Sequence, residues 1–325
     1  MNHSLAERAI LSNLSKERVS MDPPKFTSEE MLEGLPPTTP NLIASDVRTI
    51  KAALSKLGQE EEEPEYVVFS CVPPSTIDEM VERPQLWGGV CMRMYYSADF
   101  RKLIVKLPKL PHETVSRGFE SLIREEAKRQ GVRQDLISKG SETIKQSPYA
   151  KEADSAWGPR RQIPGHDNKW PTLVLEVGLS ENLHRLHIDL KWWFSNSQGQ
   201  VKVVLVVSIQ QKEPKVVLER WELQRRRTHS YPLRSLGGIP KEGTWQNNQG
   251  PAVPKMVQKI TYTLNPSTHT MTSTGGPLVI PFHKIFLNNT APYSIQGDFV
   301  FTAAAFEQEI AMEVWEAQGF LPRPQ

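Results

Sequence analysis

Hydrophobic positions along this chain change period several times, and each change marks an element. Gly89 to Tyr96 and Lys102 to Leu107, two largely apolar and aromatic runs separated by the polar stretch Ser97 to Arg101, predict a β-hairpin. Between His112 and Gln130, apolar residues at 115, 119, 122 and 123 fall on one helical face suited to packing on that hairpin. Short strands are expected at Thr143 to Gln146 and Ala153 to Trp157, the second ended by Gly158-Pro159. Pro171 to Val177 is apolar almost throughout, as a strand buried on both faces would be. Ser180 is placed to cap a helix striped by Leu183, Leu186, Leu190 and Trp193. Strands follow at Val201 to Ile209 and Val216 to Leu223, joined by a turn at Gln211 to Pro214. Beyond Arg225-Arg226-Arg227 the chain is loop-rich, with Gly237-Gly238, Gly243 and Gly250. Strands are then expected at Gln258 to Leu264 and Pro277 to Phe286, and a helix from Ala303 to Glu316.

Strand, helix and strand around a buried apolar strand predict an α/β or α+β fold, a mixed sheet flanked by helices with a C-terminal β-rich elaboration. Residues 1 to 64 carry paired prolines, the acidic run Glu60 to Glu63 and no aromatic besides Phe26, so they are expected to form a flexible, largely disordered leader. One domain is expected over 65–325, with its core at about 89–225 and the elaboration at 226–325.

Composition narrows this little. The chain has 325 residues, 38% of them hydrophobic, enough for a real core, and a net charge of +2 that neither demands nor excludes a polyanionic partner. Its two cysteines, Cys71 and Cys91, show no metal-ligand spacing and are expected as reduced, buried thiols of an intracellular protein, cytoplasmic or nuclear. No stretch approaches the roughly 18 to 20 apolar residues of a membrane span, and the charged N-terminal stretch lacks the apolar centre of a secretion signal.

The chemistry is concentrated in two acids. Asp154 and Glu176 lie at strand positions about twenty residues apart, and a hard cation such as Mg²⁺ takes one or two carboxylates together with water and phosphate. A nearby lysine would orient the attacking water or neutralise developing charge. Two residues past Glu176 stands Gly178, so the lysine is sought on the following helix, where His184, His187 and Lys191 share one flank. Trp157, Trp192 and Trp193 suit a core or a base-stacking surface, and Arg160-Arg161 and Arg225 to Arg227 suit solvated loops or phosphate contacts. No nucleophile elbow, Walker loop or dinucleotide fingerprint is present.

The order His112-Glu113, Asp154, Glu176-Val-Gly-Leu-Ser180 and a helix lysine resembles the PD-(D/E)XK restriction-endonuclease-like superfamily, in particular a bacterial branch whose lysine has moved to the next helix. The stretches KEADSAWGP, LVLEVGLSENL and PLVIPFHKIF are also similar to a group of uncharacterised fungal proteins. The resemblance implies Mg²⁺-dependent hydrolysis of nucleic-acid phosphodiesters. Asp154 and Glu176 would be the metal ligands, Lys191 the migrated lysine, and Glu113 the acid of the first core helix. Ala153 replaces the usual proline and Gly178 the strand lysine. Members that lose such groups persist as inactive modules binding nucleic acid or protein, the alternative this sequence leaves open.

Overall fold

The computed structural model describes residues 26–60, 63–83, 92–179, 183–227, 249–287 and 297–322. The first 25 residues of the expected leader, the start of the hairpin at Gly89 to Cys91, the cap Ser180 and the glycines at 237, 238 and 243 lie outside these residues.

The elements run α1 (Ser28–Leu32), β1 (Asn41–Ile43), α2 (Val47–Leu57), β2 (Tyr66–Ser70), α3 (Pro74–Glu82), β3 (Arg93–Ser97), β4 (Lys102–Lys106) and α4 (Leu110–Arg129). They continue with β5 (Leu136–Ser138), β6 (Ile144–Gln146), β7 (Tyr149–Lys151), β8 (Ser155–Pro159), β9 (Leu173–Leu179), α5 (Leu183–Asn196) and β10 (Val203–Ile209). The last part holds β11 (Lys215–Arg227), β12 (Gln249–Asn265), β13 (Thr270–Thr274), β14 (Leu278–Ile280), α6 (Phe282–Phe286), β15 (Phe299–Phe301), α7 (Ala303–Phe306) and α8 (Met312–Ala317).

The fold is α+β, with mixed sheets flanked by helices. One sheet has the order β1-β2-β4-β3-β7-β6, and a second has the order β13-β12-β11-β10-β9-β8-β5. β9 and β10 are parallel, as the intervening α5 requires, while β8 and β11 run antiparallel to them. β9 is buried on both faces because its alternate residues meet different helices. Leu173, Leu175, Val177 and Leu179 join the cluster of Val115, Phe119 and Ile123 on α4. Val174 joins that of Leu186, Leu190 and Trp193 on α5, so Glu176, two residues on, belongs to the α5 side. The long ribbon β11–β12, with a register shift between Arg220 and Trp221, makes the C-terminal part β-rich.

Three expectations are corrected. Residues 26–60 are not a loose leader. Val47, Ile50, Leu54 and Leu57 give α2 a buried stripe, Asp46 caps it through Thr49, and Met31 of α1 is fully buried. Proline-rich flanks hid that stripe in the sequence. The strand expected over Pro277 to Phe286 stops at Ile280, because Pro281 leads into the short helix α6. Cys71 is exposed rather than buried. The expected C-terminal helix is present, but its middle, Glu307–Ala311, is a π-helical stretch. There Gly118 of α4 makes room for Ile310, whose Cγ1 would lie 2.3 Å from a Cβ at 118. Among the described residues, no helix is long and apolar enough to cross a membrane.

Candidate functional site

Asp154 sits where the chain leaves β7 of one sheet and enters β8 of the other. Ser155 pairs with Leu175, so the next step along the ladder brings Asp154 beside Glu176, and both sequence-predicted acids arrive at one place. Each is almost fully buried, at 2% exposure. A carboxylate so buried needs partners, and the two acids are partnered differently.

Asp154 is hydrogen-bonded through one oxygen and faced by cations on the other. Its Oδ2 accepts from Lys106 Nζ at 2.7 Å and from the Val177 backbone N–H at 2.7 Å, while Oδ1 lies 3.0 Å from His112 Nε2 and 3.8 Å from Arg93 Nε. Burial alone would raise its pKa, but His112, Lys106 and Arg93 outweigh it and hold the carboxyl well below the usual carboxylate range. Lys106 ends β4 directly opposite Arg93 of β3, so two cations are delivered from adjacent strands. Its ammonium also donates to the Val177 carbonyl at 2.5 Å. Burial works against that charge, yet Asp154 and Glu176 outweigh it and raise the lysine's pKa.

Glu176 has weaker support. Its Oε1 accepts from Trp193 Nε1 at 2.5 Å and lies 3.8 Å from Lys151 Nζ. Lys151 is committed elsewhere, at 2.7 Å from Asp189 of α5, which Arg185 also meets at 2.9 Å. Arg185 and Lys151 together outweigh burial and lower the pKa of Asp189. Burial dominates at Glu176, the negative charges of Asp154 and Asp189 add to it, and its pKa is pushed from the ordinary 4.5 to about 7. The cavity beside this cluster holds about 20 Å³, room for one water.

The remaining predicted residues separate. Glu113, in the first turn of α4, lies at the edge of the cluster, its Oε1 3.2 Å from Arg93 and 3.7 Å from His112 Nδ1. Lys191 is exposed, on the flank of α5 that also carries His184 and His187. All three line an open cavity of about 450 Å³, walled on its other sides by Phe26, Leu190 and Trp221. The lysines among the acids are therefore Lys106 and Lys151. A lysine at 178 would crowd Leu186 of α5, whose Cδ2 lies 3.1 Å from where a Cβ would stand. Sequence reading missed Lys106, Lys151, Arg185 and Asp189. The one signal for Lys106 was its place on the same strand face as the buried Ile104, two residues before it.

Asp154 Oδ2 and the Val177 carbonyl are the kind of hard oxygens that Mg²⁺ takes. As arranged they do not fit that ion, because both already bind one buried ammonium. No group of three or more His, Cys, Asp or Glu suited to a metal occurs among the described residues. In the larger cavity, His187 Nε2 lies 2.8 Å from Glu219 Oε2 and its ring packs edge-on to Trp221, whose N–H also donates to Glu219.

No family model and no curated protein matches this chain. One solved structure, titled a "putative nuclease" from Anabaena variabilis, is similar over 46% of this chain and 81% of its own, at 14% identity and a TM-score of 0.30. At that score the likeness adds nothing to the topology, which rests on the strand pairings above.

Proposed function

We propose that this chain is a nuclease-type fold that no longer hydrolyses its ligand and serves as a nucleic-acid-binding module. The observation that carries this reading is the state of the acid pair. Asp154 Oδ2 is tied to Lys106 and the Val177 N–H, Glu176 is held by Trp193, and the adjacent 20 Å³ cavity has no room for a phosphodiester. Binding is assigned instead to the open 450 Å³ cavity on the outer flank of α5. Lys191 offers an exposed cation, and Trp221 and Phe26 offer aromatic faces for a base. The experiment is a binding titration of single- and double-stranded oligonucleotides at low salt, followed by anisotropy, beside a cleavage assay with Mg²⁺ and Mn²⁺. Binding without cleavage, weakened by Lys191→Ala and Trp221→Ala, is the expected result. Cleavage by the parent protein refutes the reading.

A second reading keeps the Mg²⁺-dependent nuclease, favoured by the two hard oxygens that converge on Lys106. In it Asp154 and Glu176 would hold the ion once Lys106 withdrew, and Glu113 would support it from the rim. Mg²⁺-dependent cleavage that Asp154→Asn abolishes would establish this reading over the first.

A further inference from the structure

β11 presents different chemistry on its two faces. Glu219 and Trp221 stand on the side of α5 and its cavity, whereas Arg220 and Glu222 point through the other side of the sheet toward α6, where Glu222 Oε2 lies 3.6 Å from Lys284 Nζ. Lys202 joins them there. It directly precedes β10, whose Val203 pairs with Glu222, and its N–H donates to the Thr172 carbonyl at 2.9 Å while the Thr172 hydroxyl donates to the Ile285 carbonyl of α6 at 2.7 Å. Three cations thus gather around one carboxylate.

That carboxylate pairs with them only loosely. Its Oε1 lies 3.3 Å from Arg220 Nη1 and its Oε2 3.6 Å from Lys284 Nζ, both longer than the roughly 2.7 to 2.9 Å of a direct charge-assisted hydrogen bond. Arg220 Nε and Nη1 and Glu222 Oε1 are buried with no hydrogen-bond partner among the described residues. Lys202 donates to the Gly199 carbonyl at 2.5 Å, and burial together with the charge of Lys284 holds its pKa below the ordinary lysine value. Two lysines that repel one another beside a guanidinium with unspent donors attract an anion, and three positive charges against one negative leave room for a dianion.

We infer that Arg220, Lys202 and Lys284 form a binding site for a phosphate-class oxyanion, separate from the α5 cavity and on the other side of the sheet. The guanidinium fork supplies donors to the oxyanion, and the two ammoniums hold it as point charges from α6 and from the start of β10. Glu222 is the resident competitor whose loose contacts the incoming ion replaces. Free inorganic phosphate and a phosphate of a nucleic-acid backbone carry the same chemistry.

The test uses the full chain and inorganic phosphate. Melting is compared in phosphate and in chloride at matched ionic strength and pH, and phosphate is titrated by calorimetry at low salt. Phosphate should raise Tm above chloride and fill one saturable site. Lys284→Gln and Lys202→Gln, whose side chains are partly exposed, should fold and each weaken binding about tenfold, and Glu222→Gln should tighten it severalfold. A short oligonucleotide separates the two sources. If it displaces phosphate and itself binds more weakly to Lys284→Gln, the site takes a backbone phosphate; if it displaces none, the site takes a free anion. Equal melting in phosphate and chloride overturns the inference. So does phosphate binding that survives both lysine substitutions, or that Lys191→Ala abolishes while Lys284→Gln spares it. A complete absence of oligonucleotide binding refutes the reading of the α5 cavity and leaves this site standing.

Discussion

Substituting Glu176 by glutamine should make the protein more stable at alkaline pH and somewhat less stable at acid pH, where the parent's carboxyl is already neutral. The acid's pKa rises from 4.5 to about 7 in the fold, chiefly through burial, with Asp154 and Asp189 adding to it and Lys151 and Lys106 opposing. Because the folded pKa lies above the unfolded one, the native state binds the extra proton between those values. Stability from this group is then full below about pH 4.5, falls as pH rises through about 7, and stays low above it. At about 1.4 kcal/mol per pKa unit, the charged form costs the fold on the order of 3 kcal/mol at pH 8. Glutamine keeps a carbonyl oxygen for the Trp193 N–H and carries no charge, but its amide N–H₂ enters a site crowded with cations. A net gain of about 1 to 2 kcal/mol at pH 8 is the expected remainder. Urea unfolding of parent and Glu176→Gln at pH 5 and pH 8 measures it, since other titrating groups largely cancel in the difference. A variant less stable than the parent at pH 8, or one whose difference is the same at both pH values, would refute the reasoning.

Other outcomes follow from the same geometry. Asp154→Asn should destabilise by about 3 to 5 kcal/mol in denaturant titration at pH 7, because it strands Lys106 in the interior; a loss under 1 kcal/mol would show that the ion pair is dispensable. Gly178→Lys should cost about 1 to 3 kcal/mol by driving Leu186 off β9, measured by thermal melting against Gly178→Ala as the smaller step. Deleting residues 1 to 60 should lower Tm by several degrees or prevent folding, since the stripe of α2 and the buried Met31 go with it; an unchanged Tm would refute the docking of this segment. Lys191→Ala should leave stability within about 0.5 kcal/mol while weakening oligonucleotide binding.

Much of the fold was legible because its central elements are locally consistent. The runs at 171 to 177 and 201 to 209 are apolar and β-branched, and the stripe from Leu183 to Trp193 has the helical period, so local sequence and tertiary burial agree. The acid pair was legible for the same reason, since an acid at the end of such a run must be partnered. Its partners were not. Lys106 and Arg93 come from a hairpin, Lys151 from a third strand and Asp189 from a helix, and nothing in local spacing says that these four side chains meet. Lys191 misled because helical geometry places it correctly beside His184 and His187 but does not say which flank of α5 turns inward. Trp193 and Asp189 occupy the inner flank. The docked segment 26–60 was missed because Pro36, Pro37 and Pro40 and the acidic run after it read as linker, whereas the stripe of one eleven-residue helix decides its fate.

Arg185 ties the N-terminal segment to the buried charge cluster. Its guanidinium is 1% exposed, and it spends its donors on Asp189 and on the carbonyls of Met31 and Glu33, more than 150 residues earlier in the chain. Gly34 presses its backbone against the same turn of α5, where a Cβ would lie 2.7 Å from the Arg185 nitrogen. The Met31–Gly34 stretch therefore lacks its full docking site until α5 has folded. The arginine needs those carbonyls to satisfy its donors, so docking of the N-terminal segment and completion of the buried charge cluster depend on one another.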